Sequence, residues 1–314
     1  MPDIIAHRGA SGYLPEHTLP AKAMAYAMNA DYLEQDVVAT RDGQLVVLHD
    51  IFLDRVTDVA DRFPHRARTD GRYYVRDFDL VEILQLNVTE RLTESGLPVY
   101  PGRFPPHNGC FRVHTLAEEL QLVAGLNQAT GKRTGVYPEI KRPAWHRQEG
   151  FDLTSAFLQE LAAHGYETPE DPIFVQCFDA AEVRRIRHEL DCKLRLVQLI
   201  GENDWQEAET DYKYLRTDRG LAEIAETVDA VGPWINQLYT VEPRSGAPVS
   251  AGLAERARDA GLLVHPYTFR ADDLPAGFQC FEDLLRFFAV DIGIDGMFTD
   301  FPDLAKRLLS ELPG

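Results

Sequence analysis

The sequence predicts an α/β protein of the (β/α)8 TIM barrel class with a small insertion after its second strand. Three observations carry that reading. Short apolar runs alternate with stretches of helical period along most of the chain, the pattern of parallel strands joined by right-handed helical crossovers. Eight such runs each precede a helix, at Ile4, Tyr32, Val136, Ile173, Leu196, Ala230, Leu262 and Gly296, and eight units suggest a closed barrel. The unusual polar residues fall at the C-terminal ends of those runs, where barrels keep their reacting groups. The rival, an open doubly wound sheet, is disfavoured because the first strand-to-helix turn, HRGASG, lacks the GxGxxG fingerprint.

Taken in order, Ile4-Ile5-Ala6 is a short buried strand, and the small residues after His7-Arg8 punctuate a loop. Thr18 caps a helix from Leu19 to Asn29 with Pro20 in its first turn. The stretch Asp31 to Asp50 reads as two strands turning at Asp42-Gly43. Residues 51–112 then mix charge and aromatics without sustained period, and Pro98, Pro101, Pro105 and Pro106 break regular structure. That is too long for an ordinary connection, so it is expected to be an inserted subdomain overhanging the site, with one short helix near Leu80 to Leu86. Thr115 caps a helix to about Thr130, with Leu116, Leu120, Val123 and Leu126 at helical spacing. Further helices are expected over Asp152–His164, Ala180–Leu190, Leu221–Thr227, Ala251–Ala260, Phe281–Asp291 and Pro302–Leu312.

The 314 residues suit one large domain. A hydrophobic fraction of 45% and a charged fraction of 26% are those of an ordinary globular protein. The net charge of −18 opposes binding to nucleic acid or to anionic membranes. A phosphate-bearing substrate therefore has to meet local positive charge, or a metal, inside a cleft. Cys110, Cys177, Cys192 and Cys280 are far apart and read as free thiols, mostly packing residues. No run approaches the roughly 20 apolar residues of a membrane span. The chain enters a strand directly after Met1-Pro2-Asp3, which reads as no signal peptide and a cytoplasmic location; removal of a leader would make it periplasmic instead.

Glu34 and Asp36 are spaced i and i+2, which puts both carboxylates on one face of a strand. Such a pair repels unless a hard divalent cation sits between them. Glu139 and Lys141 repeat the spacing on the third strand, as a self-satisfied ion pair or as a third oxygen ligand beside a fixed cation. Glu34, Asp36 and Glu139 together form an all-oxygen set suited to one Ca²⁺ or Mg²⁺ ion, and no cluster has zinc spacing. Arg8 and Lys141 offer positive charge to a phosphate. His7 and His49 suit a base and an acid on opposite sides of one reacting centre, the sequence not saying which is which. Gln176, Phe178, Trp205, Trp234 and Tyr267 are candidates to line a pocket, where the aromatics would hold a cationic headgroup or pack the barrel. His17 lines the site or caps a helix; His265 reads as structural; His65, His107, His146 and His164 read as surface residues.

The motifs HRGASGYLPEHTLPA, LEQD, LVVLHD, YPEIK, VHPYT and GMFTDFP, in that order over essentially the whole chain, resemble the glycerophosphodiester phosphodiesterases. Residues 50–112 resemble the insertion of the bacterial periplasmic type, whose members carry an export signal. The resemblance implies metal-dependent hydrolysis of small-molecule glycerophosphodiesters, such as glycerophosphocholine and glycerophosphoethanolamine, to sn-glycerol 3-phosphate and an alcohol. It implies His7 and His49 as the acid/base pair, Arg8 and Lys141 at the phosphate, and Glu34, Asp36 and Glu139 as metal ligands. Attack by water or by the glycerol 2-hydroxyl is left open, as is a homodimer. A lysophospholipase D-like activity and a non-catalytic binding barrel are the alternatives.

Overall fold

The computed structural model describes residues 1–312. Eight parallel strands form the barrel: Asp3–Ala6, Tyr32–Ala39, Gly135–Ile140, Phe174–Cys177, Arg195–Ile200, Ala230–Pro233, Leu263–Val264 and Gly296–Thr299, here strands 1 to 8. They pair in chain order from strand 1 to strand 7, with strand 8 beside strand 1. Between strands 7 and 8, Asp295 N donates to Val264 O at 3.0 Å and Phe298 N to Pro266 O at 3.1 Å, which closes the ring. Strand 7 is shorter than its apolar run because Pro266 has no N–H to give to the ladder. The strand Leu45–Val47 lies outside the ring, antiparallel to strand 2.

The helices start where the sequence supplies caps. Thr18 accepts from Ala21 N at the head of Leu19–Ala27, and Thr115 with Glu118 forms a capping box at the head of Leu116–Thr130. Asp152 and Asp179 cap Leu153–Ala163 and Ala180–His188 in the same way. The helices pack their apolar faces on the outward residues of the strands, Leu33 and Val37 of strand 2 and Val136 and Ile140 of strand 3 among them. Inside the ring, Ile5, Tyr137, Phe174, Val197, Ala230 and Phe298 fill the barrel below its C-terminal mouth, so the barrel is a packed core and not a pore.

Within residues 51–112 the regular pieces are short: Val59–Arg62, a 3₁₀ turn at Val75–Asp77, and Leu80–Ile83. Leu53, Val56, Val59, Phe78, Ile83 and Leu86 pack together against Val38, Val46 and Leu48 of the hairpin. Other details depart from expectation. The helix from Phe281 turns from α to π geometry over Phe287–Ile292. An unpredicted helix, Pro143–Gln148, turns His146 inward. His146 is buried rather than on the surface, and its Nε2 accepts from Ala39 N at 3.2 Å; six residues are too few to show a period, and Pro143 at the helix start was the available signal. All four cysteines are free, but Cys110 and Cys280 are exposed and only Cys177 and Cys192 pack. Among the described residues no helix is long and apolar enough to cross a membrane.

Candidate active site

Parallel register assembles the acidic group. Asp36 of strand 2 lies beside Glu139 of strand 3, and Glu139 beside Gln176 of strand 4. Residues at period 2 share a face, so Glu34 joins them from one step lower on strand 2. Each of Glu34, Asp36 and Glu139 presents an oxygen within 4.8 Å of the others, and all three are buried. Without a counter-ion such crowding splits the group. Burial and the neighbouring Asp36 push Glu34 up to about 8. Burial and Asp36 likewise raise Glu139, although Lys141 Nζ stands 2.8 Å from its Oε1. Asp36 stays well below its usual range: burial opposes its charge, but Lys141, His49 and His17 outweigh burial. His17 Nε2 lies 2.6 Å from Asp36 Oδ2, while Asp36 Oδ1 is buried with no hydrogen-bond partner. An orphaned carboxylate oxygen amid three hard donors fits a hard divalent cation.

The turn after strand 1 brings in the next groups. Arg8 adopts a left-handed φ of 60° and its N–H donates to Glu34 Oε2 at 2.7 Å. Gly9 follows at φ +93°, where a Cβ would stand 2.9 Å from the Ala21 carbonyl carbon, so only glycine lets the helix approach this close. The Arg8 side chain forks onto Glu16, Nη1 lying 3.0 Å from both carboxylate oxygens, and its Nε is 3.5 Å from Asp36.

Two histidines face the cavity with the same support. His7 Nδ1 is 2.6 Å from Asp300 Oδ1, and His49 Nδ1 is 2.6 Å from Asp50 Oδ1. Each carboxylate fixes a ring and leaves its Nε2 for the cavity; His7 Nε2 lies 4.0 Å from Glu34 Oε2. Burial, then the Arg8 charge, lowers His7 to about 4; burial, Arg8 and Lys141 lower His49 to about 3. Both rings are therefore neutral near pH 7, with Nε2 a free base.

The twelve site and pocket candidates from the sequence (His7, Arg8, Glu34, Asp36, His49, Glu139, Lys141, Gln176, Phe178, Trp205, Trp234 and Tyr267) all line one cavity of about 260 Å³. Their surroundings divide them. Gln176 Nε2 donates to Glu34 Oε1 at 3.3 Å. The Tyr267 hydroxyl is turned to the wall and donates to Ile200 O at 3.0 Å, and the Lys141 ammonium stands 5.6 Å from the Phe178 ring centre. His265 is a barrel residue, its Nδ1 2.7 Å from the Tyr137 hydroxyl. Sequence reasoning missed the supporting groups. Arg91 binds Asp50 at 2.6 Å and Glu16 at 2.7 Å, tying residues 51–112 to both the His49 support and the Arg8 clamp. Arg103 and Arg270 hold Asp300 at 2.7 and 2.8 Å. Asp50 follows His49 directly, a signal that was readable; nothing in the sequence marks Arg91.

Comparison with known proteins agrees with this geometry. The model of the glycerophosphoryl diester phosphodiesterase family matches residues 7–304. A glycerophosphodiester phosphodiesterase of Haemophilus influenzae is 43% identical, the alignment covering 98% of this chain and 89% of that one. One of Treponema pallidum is 37% identical over 98% of this chain and 92% of its own. Among solved structures, an Oleispira antarctica phosphodiesterase in complex with the product sn-glycerol-3-phosphate superimposes with a TM-score of 0.66 at 19% identity, covering 99% of this chain and 98% of that one; at that identity the likeness speaks to fold. With a family match running from His7 into the last helix, this chain belongs to the glycerophosphoryl diester phosphodiesterase family.

Proposed function

We propose that this protein hydrolyses glycerophosphodiesters, glycerophosphocholine and glycerophosphoethanolamine among them, to sn-glycerol 3-phosphate and an alcohol. The observation that carries the reading is a pair of carboxylate-anchored histidines facing one cavity beside a buried triad of carboxylates. Arg8 and Lys141 bring positive charge to the phosphate. One imidazole takes the proton of the attacking hydroxyl at Nε2, either from water, which gives sn-glycerol 3-phosphate directly, or from the glycerol 2-hydroxyl, which gives a cyclic phosphodiester that water then opens to sn-glycerol 3-phosphate. The other gives a proton to the leaving alkoxide, and Asp300 or Asp50 stabilises the imidazolium form of its own ring. A phosphodiester anion bound between the rings raises their proton affinity by the same Coulomb logic through which Arg8 lowers it. Glu34, Asp36 and Glu139 would hold a divalent ion, Ca²⁺ or Mg²⁺, which would supply Lewis-acid charge to the phosphoryl group.

The test is release of sn-glycerol 3-phosphate from glycerophosphocholine. Activity is expected to vanish with chelator and to return with Ca²⁺ or Mg²⁺, and the absence of turnover on every glycerophosphodiester with metal present overturns the reading. Lysophosphatidylcholine assayed alongside is expected to be a poor substrate, since an enzyme working at a lipid surface wants an exposed apolar lip or basic face at its mouth, against which the net charge of −18 argues. A homodimer is the assembly to be sought by sedimentation.

A further inference from the structure

Beyond His7 and His49 the site continues into a second chamber of about 180 Å³, roofed by residues 90–103. Four guanidiniums belong to it, and each has its carboxylate. Arg8 pairs with Glu16, Arg91 with Asp50, Arg103 with Asp272 and Arg270 with Asp300, at 2.6 to 3.0 Å. Those charges cancel. Glu90 is a third carboxylate in the same wall, beside Glu16 and Asp300. It is 4% exposed, it forms no ion pair, and its Oε2 is buried without a hydrogen-bond partner. Burial, then Glu16, pushes it up to about 8, as befits a carboxyl short of a positive neighbour. A cation brought beside it would restore its charge, and one carrying N–H, as ethanolamine does, would also satisfy the orphaned oxygen.

Within this chamber the aromatic ring offers no better place for that cation. Tyr100, the aromatic ring in this chamber, is covered by the Arg103 guanidinium at 3.7 Å from its centre. In the first chamber the Lys141 ammonium already stands over Phe178. His7, Arg8 and His49 line both chambers, so a phosphate held by them has one arm toward the carboxylate triad and the other toward Glu90. An aminoalcohol places its nitrogen two carbons from the ester oxygen, a short reach from that junction.

We propose that Glu90 is a specificity-determining residue, and that the second chamber takes the cationic nitrogen of an ethanolamine- or choline-type leaving alcohol. The assignment rests on the hydrolase reading above. The test compares kcat/KM for glycerophosphoethanolamine and glycerophosphocholine with that for the uncharged-alcohol diester glycerophosphoglycerol, in wild type, Glu90→Gln and Glu90→Asp. Glu90→Gln is expected to lower the cationic-to-neutral ratio about tenfold, chiefly through KM, with Glu90→Asp recovering part of it. A ratio that stays within twofold, because all three substrates lose alike or none does, overturns the assignment. Should Glu90→Gln not fold, 2-aminoethanol and ethylene glycol are compared as inhibitors of glycerophosphoglycerol turnover by the wild type; at least tenfold stronger inhibition by 2-aminoethanol supports the site, and equal inhibition overturns it. A wild type that turns over none of the three diesters would overturn the hydrolase reading itself, and this proposal with it.

Discussion

The His7 ring shows why the site is built as it is. It is buried beside Arg8, which alone would leave a weak base of uncertain orientation. Asp300 fixes its Nδ1 side, and Arg103 and Arg270 keep Asp300 ionised at well below the usual carboxylate range in spite of its burial. Replacing His7 or His49 with alanine is expected to lower kcat by at least ~10²-fold, the scale for a general acid or base, while Ca²⁺ affinity measured by calorimetry holds within a few-fold. A near-full rate in either variant would remove that histidine from the mechanism. Asp300→Asn is expected to cost a comparable factor, because an amide facing Nδ1 no longer selects the tautomer with a free Nε2. Glu34→Gln and Glu139→Gln should behave differently, losing metal affinity and rate together. Retention of wild-type Ca²⁺ affinity by both would break the link between triad and metal.

At the scale of elements, the strand that carries Glu34 and Asp36 is held from behind by a buried polar cluster. Lys22, on the helix Leu19–Ala27, reaches Glu119 of the helix Leu116–Thr130 at 2.8 Å and also donates to the Glu34 carbonyl of strand 2. Glu119 further contacts His114 at 2.7 Å and Gln35 at 2.8 Å, and Gln35 in turn accepts from Tyr137 N on strand 3. Two helices and two strands thus meet at one carboxylate, which Lys22 and His114 hold at about 2 against the effect of its burial. Lys22→Met leaves that carboxylate without its cation and is expected to cost roughly 3–5 kcal/mol, read from the denaturant midpoint; a loss under ~1 kcal/mol would mean the cluster is incidental to stability. None of this was legible in the sequence, where Lys22 sits in an alanine- and methionine-rich helix like any solvated lysine. What could be read was whatever a local rule governs. The i, i+2 spacing of Glu34 and Asp36 and the caps at Thr18 and Thr115 needed only their neighbours. Arg91 needed Asp50 and Glu16, 41 and 75 residues away, and His146 needed a helix too short to announce itself.

For the whole molecule, buried neutral histidines link stability to pH. His265 packs among Phe174 and Tyr137 inside the barrel, and burial lowers it to about 3. His146, under the 51–112 segment, is lowered to about 4 for the same reason. A depressed histidine means that the unfolded chain, titrating near 6.5, binds more protons than the folded one. Stability is then full above about pH 6.5 and falls as the pH drops toward each folded value. At pH 5 each of the two histidines has withdrawn roughly 2 kcal/mol, at about 1.4 kcal/mol per unit. Glu119 adds its own loss only lower, as pH falls below about 4.5 toward 2. His7, His17 and His49, lowered to between about 3 and 4, pull the same way, while Glu34 and Glu90, raised to about 8, take up protons over this range and pull the other way, so one ring's share is read as the difference in pH dependence between wild type and a variant lacking it. In His265→Gln, whose amide can still pair with the Tyr137 hydroxyl, the stability change between pH 7.5 and pH 5 should be more favourable than in wild type by roughly 2 kcal/mol. A pH dependence identical in His265→Gln and wild type would show that His265 is able to take up a proton inside the fold, and that the barrel interior is far more polar than its lining of Phe174, Tyr137 and Phe298 implies.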